Sequence, residues 1–504
     1  VKGVLFVVLF CAQAHAESRS YAIVVGNNEP PLGSTLKTLR YSDDDAARYA
    51  GFFSHFARSV TVLSSFDAST HRRYAELSTV VRPPSLVELR AALRGVATQL
   101  ETDRAAGHAT TFYFVYSGHG APNAQGAMAL SFLDGALDRS MLEAELLLPA
   151  THVHLIVDAC HAEAVVLGRG MFDREIEGDL VEAPLLAKKR MPAHVGVLLA
   201  SASAQESHEW SRIESGVFTH ELLSGLVGPA DINHDGRVEY SEAQAFMAAA
   251  NRNLKDPRAV PTVIAEAPRA APRAALVDFR SFTNMASLEA RRGELGRFSV
   301  ELANGERYLD ANLREAAVVF LPVATKVFVR SGGLEASFLA NARRTFSSLL
   351  FTDANVETRG SIDDAYREGL FAAVYDASYY RGYVDSTGAP SVAFVDSAMK
   401  EASDWRKPVA ITLWTVSGAS LAAAGVSLGV ALAARTEFER TPYQRSAIAA
   451  ANQAELARNL AIGTAIASVL SASAALALWP WPEAPSLVVA PSGSGFDAAA
   501  TFRF

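Results

Sequence analysis

Short, mainly apolar runs alternate with amphipathic helical stretches through the first half of the chain. Tyr21–Gly26, Val60–Leu63, Thr111–Tyr116, His152–Val157 and Val195–Ala200 are strand-like runs, and Asp43–Phe53 and Ser85–Leu100 have helical spacing between them, the second capped by Ser85 behind a Pro pair. Strands alternating with helices predict a mostly parallel sheet covered on both faces. In such sheets, sites form at the carboxyl ends of the strands. The whole chain has 504 residues, 50% of them hydrophobic and 20% charged, which excludes a disordered polymer. Its net charge of −8 lacks the basic footprint of a protein that tracks a phosphate backbone, so no nucleic-acid partner is expected. Two cysteines, Cys11 and Cys160, are too few for a disulfide framework or a thiolate metal site.

The ends of the chain differ from this body. Lys2, an apolar run from Gly3 to Ala12 and the small-residue pattern Ala14-His15-Ala16 form a three-part secretory signal over residues 1–16, with cleavage expected after Ala16. Cys11 would leave with it. Far downstream, Pro408–Ala434 is uncharged for 27 residues and Asn459–Pro482 for 24, each long enough to cross a bilayer core of about 30 Å. Two transmembrane helices, 408–434 and 459–479, are therefore expected to form a lipid-embedded hairpin, followed by a tail at 480–504. Gly425 and Gly429 have the spacing that permits close helix approach, and Trp414, Trp479 and Trp481 suit interfacial anchoring. Together these ends predict an exported, membrane-anchored protein whose main domain faces the extracytoplasmic, periplasmic side of a bacterial membrane.

Between the ends, the Pro/Ala/Arg-rich stretch within 262–274 is expected to be a linker. It divides a first domain at 19–255 from a β-rich accessory domain at 275–400, whose runs Arg297–Leu302, Ala317–Leu321 and Lys326–Arg330 carry no chemical motif.

The chemistry gathers at two strand ends. Thr111–Tyr116 runs into Ser117-Gly118-His119-Gly120, and His152–Val157 into Asp158-Ala159-Cys160-His161. A thiol and an imidazole at the ends of neighbouring strands are the minimum for thiol-based acyl transfer. These residues, in this order, resemble the caspase and metacaspase clan of cysteine peptidases. Tyr21–Gly26, Leu39–Ala46, Ala200–Ser203 and Gly216–Thr219 extend the resemblance over roughly residues 19–255. It implies a caspase-like three-layer αβα sandwich with a mostly parallel sheet and protein substrates. It further implies Cys160 as nucleophile, His119 as general acid and base, and the amides of Gly120 and Cys160 as oxyanion hole. His161 reads as a neighbour of the nucleophile rather than its base.

Caspases that cut after Asp carry Gln two residues before the cysteine, where this chain has Asp158. In metacaspases that Asp and another, matched here by Asp45, line the pocket floor with a polar contributor matched by Ser117. Two carboxylates in a confined pocket favour Arg or Lys and repel Asp. Asp45 would equally suit a solvated helix start beside Asp43 and Asp44. Cleavage after basic residues would make Lys188-Lys189-Arg190 a self-processing site.

A last motif spans 231–242. Asp231, Asn233 and Asp235 at loop positions 1, 3 and 5, Gly236 at 6, Val238 at 8 and Glu242 at 12 fit an EF-hand calcium loop. Arg237 would ligate through its carbonyl and Glu239 directly or through water. Calcium is thus the expected ion, with no organic cofactor. The sequence as a whole predicts a calcium-modulated cysteine endopeptidase; the alternative is a calcium-responsive sensor or scaffold of caspase-like fold with little turnover.

Overall fold

The computed structural model describes residues 18–168 except 32 and 78, 191–201, 209–353 except 257 and 258, 366, 368–394, 406–440, 444–478, 486–492 and 495–501. The signal segment, the Lys188–Arg190 site, Trp479 and Trp481 lie outside these residues. Two compact units separate, Val1–Ala393 and Phe394–Phe504.

In the first unit, β1 (Ser18–Asn27), α1 (Ser42–Ser54), β2 (Ser59–Ser64), α2 (Ala68–Arg73) and α3 (Leu86–Ala105) lead to β3 (Ala109–Gly118). A small antiparallel sheet of β4 (Gly120–Pro122), β5 (Met128–Phe132) and β6 (Gly135–Asp138), then α4 (Arg139–Glu145), precede β7 (His152–Asp158) and α5 (Ala162–Leu167). Next come β8 (Val195–Ser201), the short pair β9 (Glu209–Trp210) and β10 (Ser215–Gly216), α6 (Val217–Leu226), β11 (Arg237–Glu239), α7 (Tyr240–Asn251) and β12 (Thr262–Glu266). The main sheet has the order β12-β8-β7-β3-β1-β2, parallel except for β12.

Burial explains why these strands read as continuous apolar runs. Tyr21, Ile23 and Val25 of β1 join Phe112, Phe114 and Tyr116 of β3 in one core with Leu89, Leu93, Val96 and Leu100 of α3 and Val165 and Val166 of α5. On the opposite face Phe53 of α1 packs on Tyr113, with ring centroids 4.9 Å apart, and Tyr240 of α7 lies over His154. The result is three layers. Ser85 caps α3 as expected, its hydroxyl accepting the Glu88 amide at 3.2 Å.

The stretch expected to be a linker begins differently. Residues 262–266 form β12, antiparallel to β8 at the sheet edge. The Pro residues at 261 and 268 bracket the strand, so its composition resembles that of a connector although its backbone completes the sheet.

Beyond it lie β13 (Ala275–Asp278), β14 (Met285–Ala290), β15 (Arg297–Leu302), β16 (Arg307–Asn312), β17 (Ala317–Pro322), β18 (Thr325–Ser331), β19 (Leu334–Ala340), β20 (Arg344–Thr345), β21 (Thr352–Asp353) and the helix α8 (Ala377–Thr387). Sheets of order β17-β14-β20 and β16-β15-β18-β19-β21 make this region β-rich, as expected. Buried and exposed residues alternate along β19, the pattern of a sheet with one covered face.

The second unit holds two helices, α9 (Arg406–Arg440) and α10 (Gln444–Leu478), and a hairpin of β22 (Ser486–Ser492) and β23 (Gly495–Thr501). Segments Val416–Glu437 and Asn452–Ser473 are each 22 residues, long and apolar enough to cross a membrane. The helices meet through small side chains: Ser417, Ala424, Ala431 and Ala434 on one, Ala457, Ala461, Ser468 and Ser471 on the other. Ser417 and Ser468 exchange hydroxyl-to-carbonyl bonds at 2.9 Å. Gly425 and Gly429, expected at this contact, instead face open space. The seven-residue spacing of Ser417, Ala424 and Ala431 sets the seam, and both glycines fall off it.

Candidate active site

Parallel pairing of β3 with β7 sets Ser117 opposite Asp158, and two residues beyond these partners stand His119 and Cys160. Their proximity is visible in the backbone. A Cβ on Gly120 would fall 1.8 Å from the Cys160 carbonyl oxygen, so only glycine lets the two strand ends close on each other. His161 follows in the left-handed region, φ +57°, and turns the chain into α5 immediately after the cysteine.

His119 is buried, and among the described residues its Nε2 has no hydrogen-bond partner. Its carbonyl accepts the Ser131 amide at 3.0 Å and the Tyr116 hydroxyl at 2.9 Å, which fixes the loop. Burial lowers the His119 pKa, against the pull of the Lys37 and Asn28 carbonyls. Burial first, and the Asp158 charge second, raise that of the Cys160 thiol. Both shifts favour the neutral form of each group.

Beside this pair lies an acidic recess. Asp45, on the first turn of α1, is 2% exposed; it accepts Ser117 Oγ at 2.9 Å, Ser215 Oγ at 2.6 Å and the Gly216 amide at 3.0 Å. Asp158 keeps part of its surface exposed and accepts Thr219 Oγ1 at 3.5 Å. A Cβ on Gly216 would stand 2.9 Å from an oxygen of each carboxylate, so the two oxygens lie within twice that distance of each other. Only glycine lets the two carboxylates approach the backbone so closely at this point. Desolvation holds both carboxyls above their usual range, and Asp45 and Glu209 push Asp158 higher still.

Asp43, Asp44 and Asp45 are all buried, so this run is not a solvated helix start. Asp43 accepts from Asn28 and the Asp67 amide, Asp44 pairs with Arg73 at 3.2 Å, and only Asp45 faces the recess. The structure thus brings together Asp45, Ser117 and Asp158. It adds Ser215, Gly216, Thr219 and Glu209, whose polar roles the sequence did not reveal. Ser215 and Glu209 sit on two-residue strands too short to leave a periodic signal.

Residues 19–269 match the caspase domain family. This part of the chain is a caspase domain. The match places this domain in a family of cysteine peptidases, hydrolases whose substrates are proteins. Caspase-1 from Spodoptera frugiperda is similar at 11% identity over 50% of this chain and 86% of that one, with a TM-score of 0.29. No curated protein matches the chain.

The caspase domain contains the 231–242 loop, which starts beyond the end of α6 and runs through β11 into α7. Asp231 accepts the amides of Asp235 and Gly236 at 3.1 Å, and the side-chain oxygens of Asn233 and Asp235 accept those of Asp235 and Arg237 at 3.0 Å. Glu242 accepts the Ile232 and Glu239 amides, completing a capping box with Glu239. Glu239 pairs with Arg273 at 2.8 Å. Burial, the larger cause, and neighbouring carboxylates raise Asp231 to about 7 and Glu242 to about 9. Among the described residues, no three His, Cys, Asp or Glu side chains converge closely enough to hold a metal as they stand. The oxygen-rich donor set nevertheless fits a hard dication once Glu242 leaves its amide partners.

Proposed function

We propose that the caspase domain is a cysteine endopeptidase that cuts after arginine or lysine through Cys160 and His119. The observation that carries this reading is the close approach of Asp45 and Asp158 at Gly216, where an oxygen of each carboxylate borders one Cβ position and the hydrogen-bond donors on them are neutral. A guanidinium or ammonium entering there supplies the missing positive charge, and an aspartate does not. Attack by Cys160 Sγ on the scissile carbonyl transfers the thiol proton to His119 Nε2, which has no hydrogen-bond partner among the described residues. The amides of Gly120 and Cys160 stabilise the oxyanion. The imidazolium returns the proton to the departing amine, leaving a thioester that water hydrolyses with His119 as base.

Calcium belongs to the same proposal. Asp231, Asn233, Asp235 and Glu242 would bind it through side chains and Arg237 through its carbonyl, with Glu239 tied to Arg273. The ion would supply positive charge to a loop whose carboxyls are crowded and desolvated. Self-processing at Lys188–Arg190 would follow from the same specificity.

Two apolar helices would anchor the domain on the extracytoplasmic side of a membrane. Their small residues face each other while Leu421, Val426, Leu428, Leu432, Leu456, Leu460, Ile466 and Leu470 are exposed. That is the reverse of a water-soluble helix pair and suits lipid.

The decisive experiment measures hydrolysis of arginine-, lysine- and aspartate-terminated fluorogenic peptide amides with and without Ca²⁺, beside Cys160→Ala. Turnover of the basic substrates that disappears in Cys160→Ala is expected. Absence of any Cys160-dependent turnover would favour the sensor or scaffold reading.

A further inference from the structure

The recess contains an electrostatic problem that the accessory region solves. On α1, Arg48 follows Asp45 by three residues, the spacing at which an acid and a base on one helix pair with each other. It is close enough to pull the Asp45 pKa down, yet none of the hydrogen bonds to Asp45 comes from it. Instead the Arg48 side chain, 2% exposed, turns towards the turn between β15 and β16. Its Nε lies 3.6 Å from Glu306 Oε1 and its Nη2 donates to the Arg307 carbonyl at 3.0 Å. The same nitrogen lies 3.0 Å from His220 Nδ1, which must then be the acceptor, so the His220 proton sits on Nε2 and is donated to Asp310 Oδ2 at 2.9 Å. Asp310 is held in turn by Arg307 through two bonds of 2.8 Å.

We infer that the β15–β16 turn of the accessory region, through Glu306 and the Asp310–His220 pair, draws Arg48 away from Asp45 and so keeps the recess open to a basic residue of the substrate. Arg48 is the chain's own competitor for that charge. Glu306 is a positioning residue that acts through Arg48 and touches neither substrate nor nucleophile. Arg48 Nε and Nη1 have no hydrogen-bond partner among the described residues, so without Glu306 the buried guanidinium keeps only its Nη2 contacts to the Arg307 carbonyl and His220, and Asp45 stands one helical turn back. The accessory region, which carries no chemical motif of its own, thereby sets specificity in the caspase domain.

This inference rests on the proposed preference for basic residues, and the test separates the two. Steady-state kinetics of the full chain are compared on arginine-, lysine- and glutamine-terminated amides for wild type, Glu306→Gln, Arg48→Gln and the double variant, with thermal melting to verify folding. Glu306→Gln is expected to raise KM for the basic substrates about tenfold, the scale of one charged hydrogen bond, with kcat and glutamine cleavage little changed. Adding Arg48→Gln should restore most of the loss. A purely structural role would lower kcat on all three substrates alike, and no rescue would follow. Folded Glu306→Gln with wild-type KM, or a double variant no better than the single, overturns the inference while leaving the pocket reading intact. If Glu306→Gln fails to fold, Arg48→Gln alone decides: retained basic preference supports the inference, and lost preference overturns it. Wild-type enzyme without basic preference overturns the pocket reading, and the inference with it.

Discussion

Helix α6 runs between two acidic centres that meet the same problem differently. At its start, Asp45 and Asp158 flank Gly216; beyond its end, Asp231 begins the 231–242 loop. In both, burial raises carboxyl pKa values. The donors differ. Asp45 is held by two serine hydroxyls and one amide from two separate strands, β3 and β10, a fixed arrangement that in the proposed reading receives a ligand bringing its own hydrogens. The loop carboxylates are held mainly by successive backbone amides of one turn, and Glu242 must turn before its oxygens can meet a spherical ion. A preformed recess suits the recognition of a side chain, and an adjustable loop suits an ion whose arrival changes local structure.

The comparison breaks most sharply at the recess. Asp45→Asn should lower kcat/KM for arginine substrates about a hundredfold, as expected for truncating one partner of a buried charge pair, and should spare the calcium response. Fluorogenic assays and a calcium titration on the same variant check both halves. Gly216→Ala places a methyl group between the carboxylates and should raise KM for arginine and lysine substrates roughly tenfold, with kcat less affected, in a steady-state comparison. At the loop, saturating Ca²⁺ should raise Tm by roughly 3–4 °C at a hundredfold excess over Kd. Asp231→Ala should abolish that rise while keeping cleavage of basic substrates, as scanning calorimetry and activity measured together would show.

The smallest effects are in pH. Asp231 and Glu242, raised to about 7 and about 9, bind more protons folded than unfolded. Their contribution to stability is therefore full below the ordinary carboxylate pKa, declines as pH rises above it, and is gone once pH has passed about 7 for Asp231 and about 9 for Glu242. Calcium-free Tm should fall over that window, and Ca²⁺, which displaces those protons, should flatten the slope. The recess gives the matching kinetic sign. Its carboxyls must ionise to hold arginine, so KM for arginine substrates should rise as pH is lowered, with little change for a glutamine substrate.

Much of this was legible in the sequence because it is local. Mainly apolar strand runs alternating with helices announced the parallel sheet, and Ser117–Gly120 and Asp158–His161 could be placed at strand ends from the runs that precede them. Features decided by distant contacts were not legible. The run Asp43–Asp45 looks the same whether it faces solvent, Arg73 or a pocket, and only packing against β10 and α2 assigns each carboxylate. Strand β12 was hidden by flanking prolines, and the Gly425/Gly429 spacing said nothing about which face of α9 meets α10. The diversion of Arg48 depends on residues more than 170 positions away, beyond any spacing rule.

One pairing carries a consequence for how the chain unfolds. Strand β11, inside the 231–242 loop, forms its ladder with β13 of the accessory region, Val238 against Val277, while Arg273 reaches Glu239 and the β15–β16 turn grips α1. No stretch of the first unit can melt at 275–278 without stripping the loop of its partner strand and baring a charged interior. Residues 18–393 should accordingly lose structure in a single calorimetric transition, with the caspase domain and its β-rich neighbour behaving as one cooperative body.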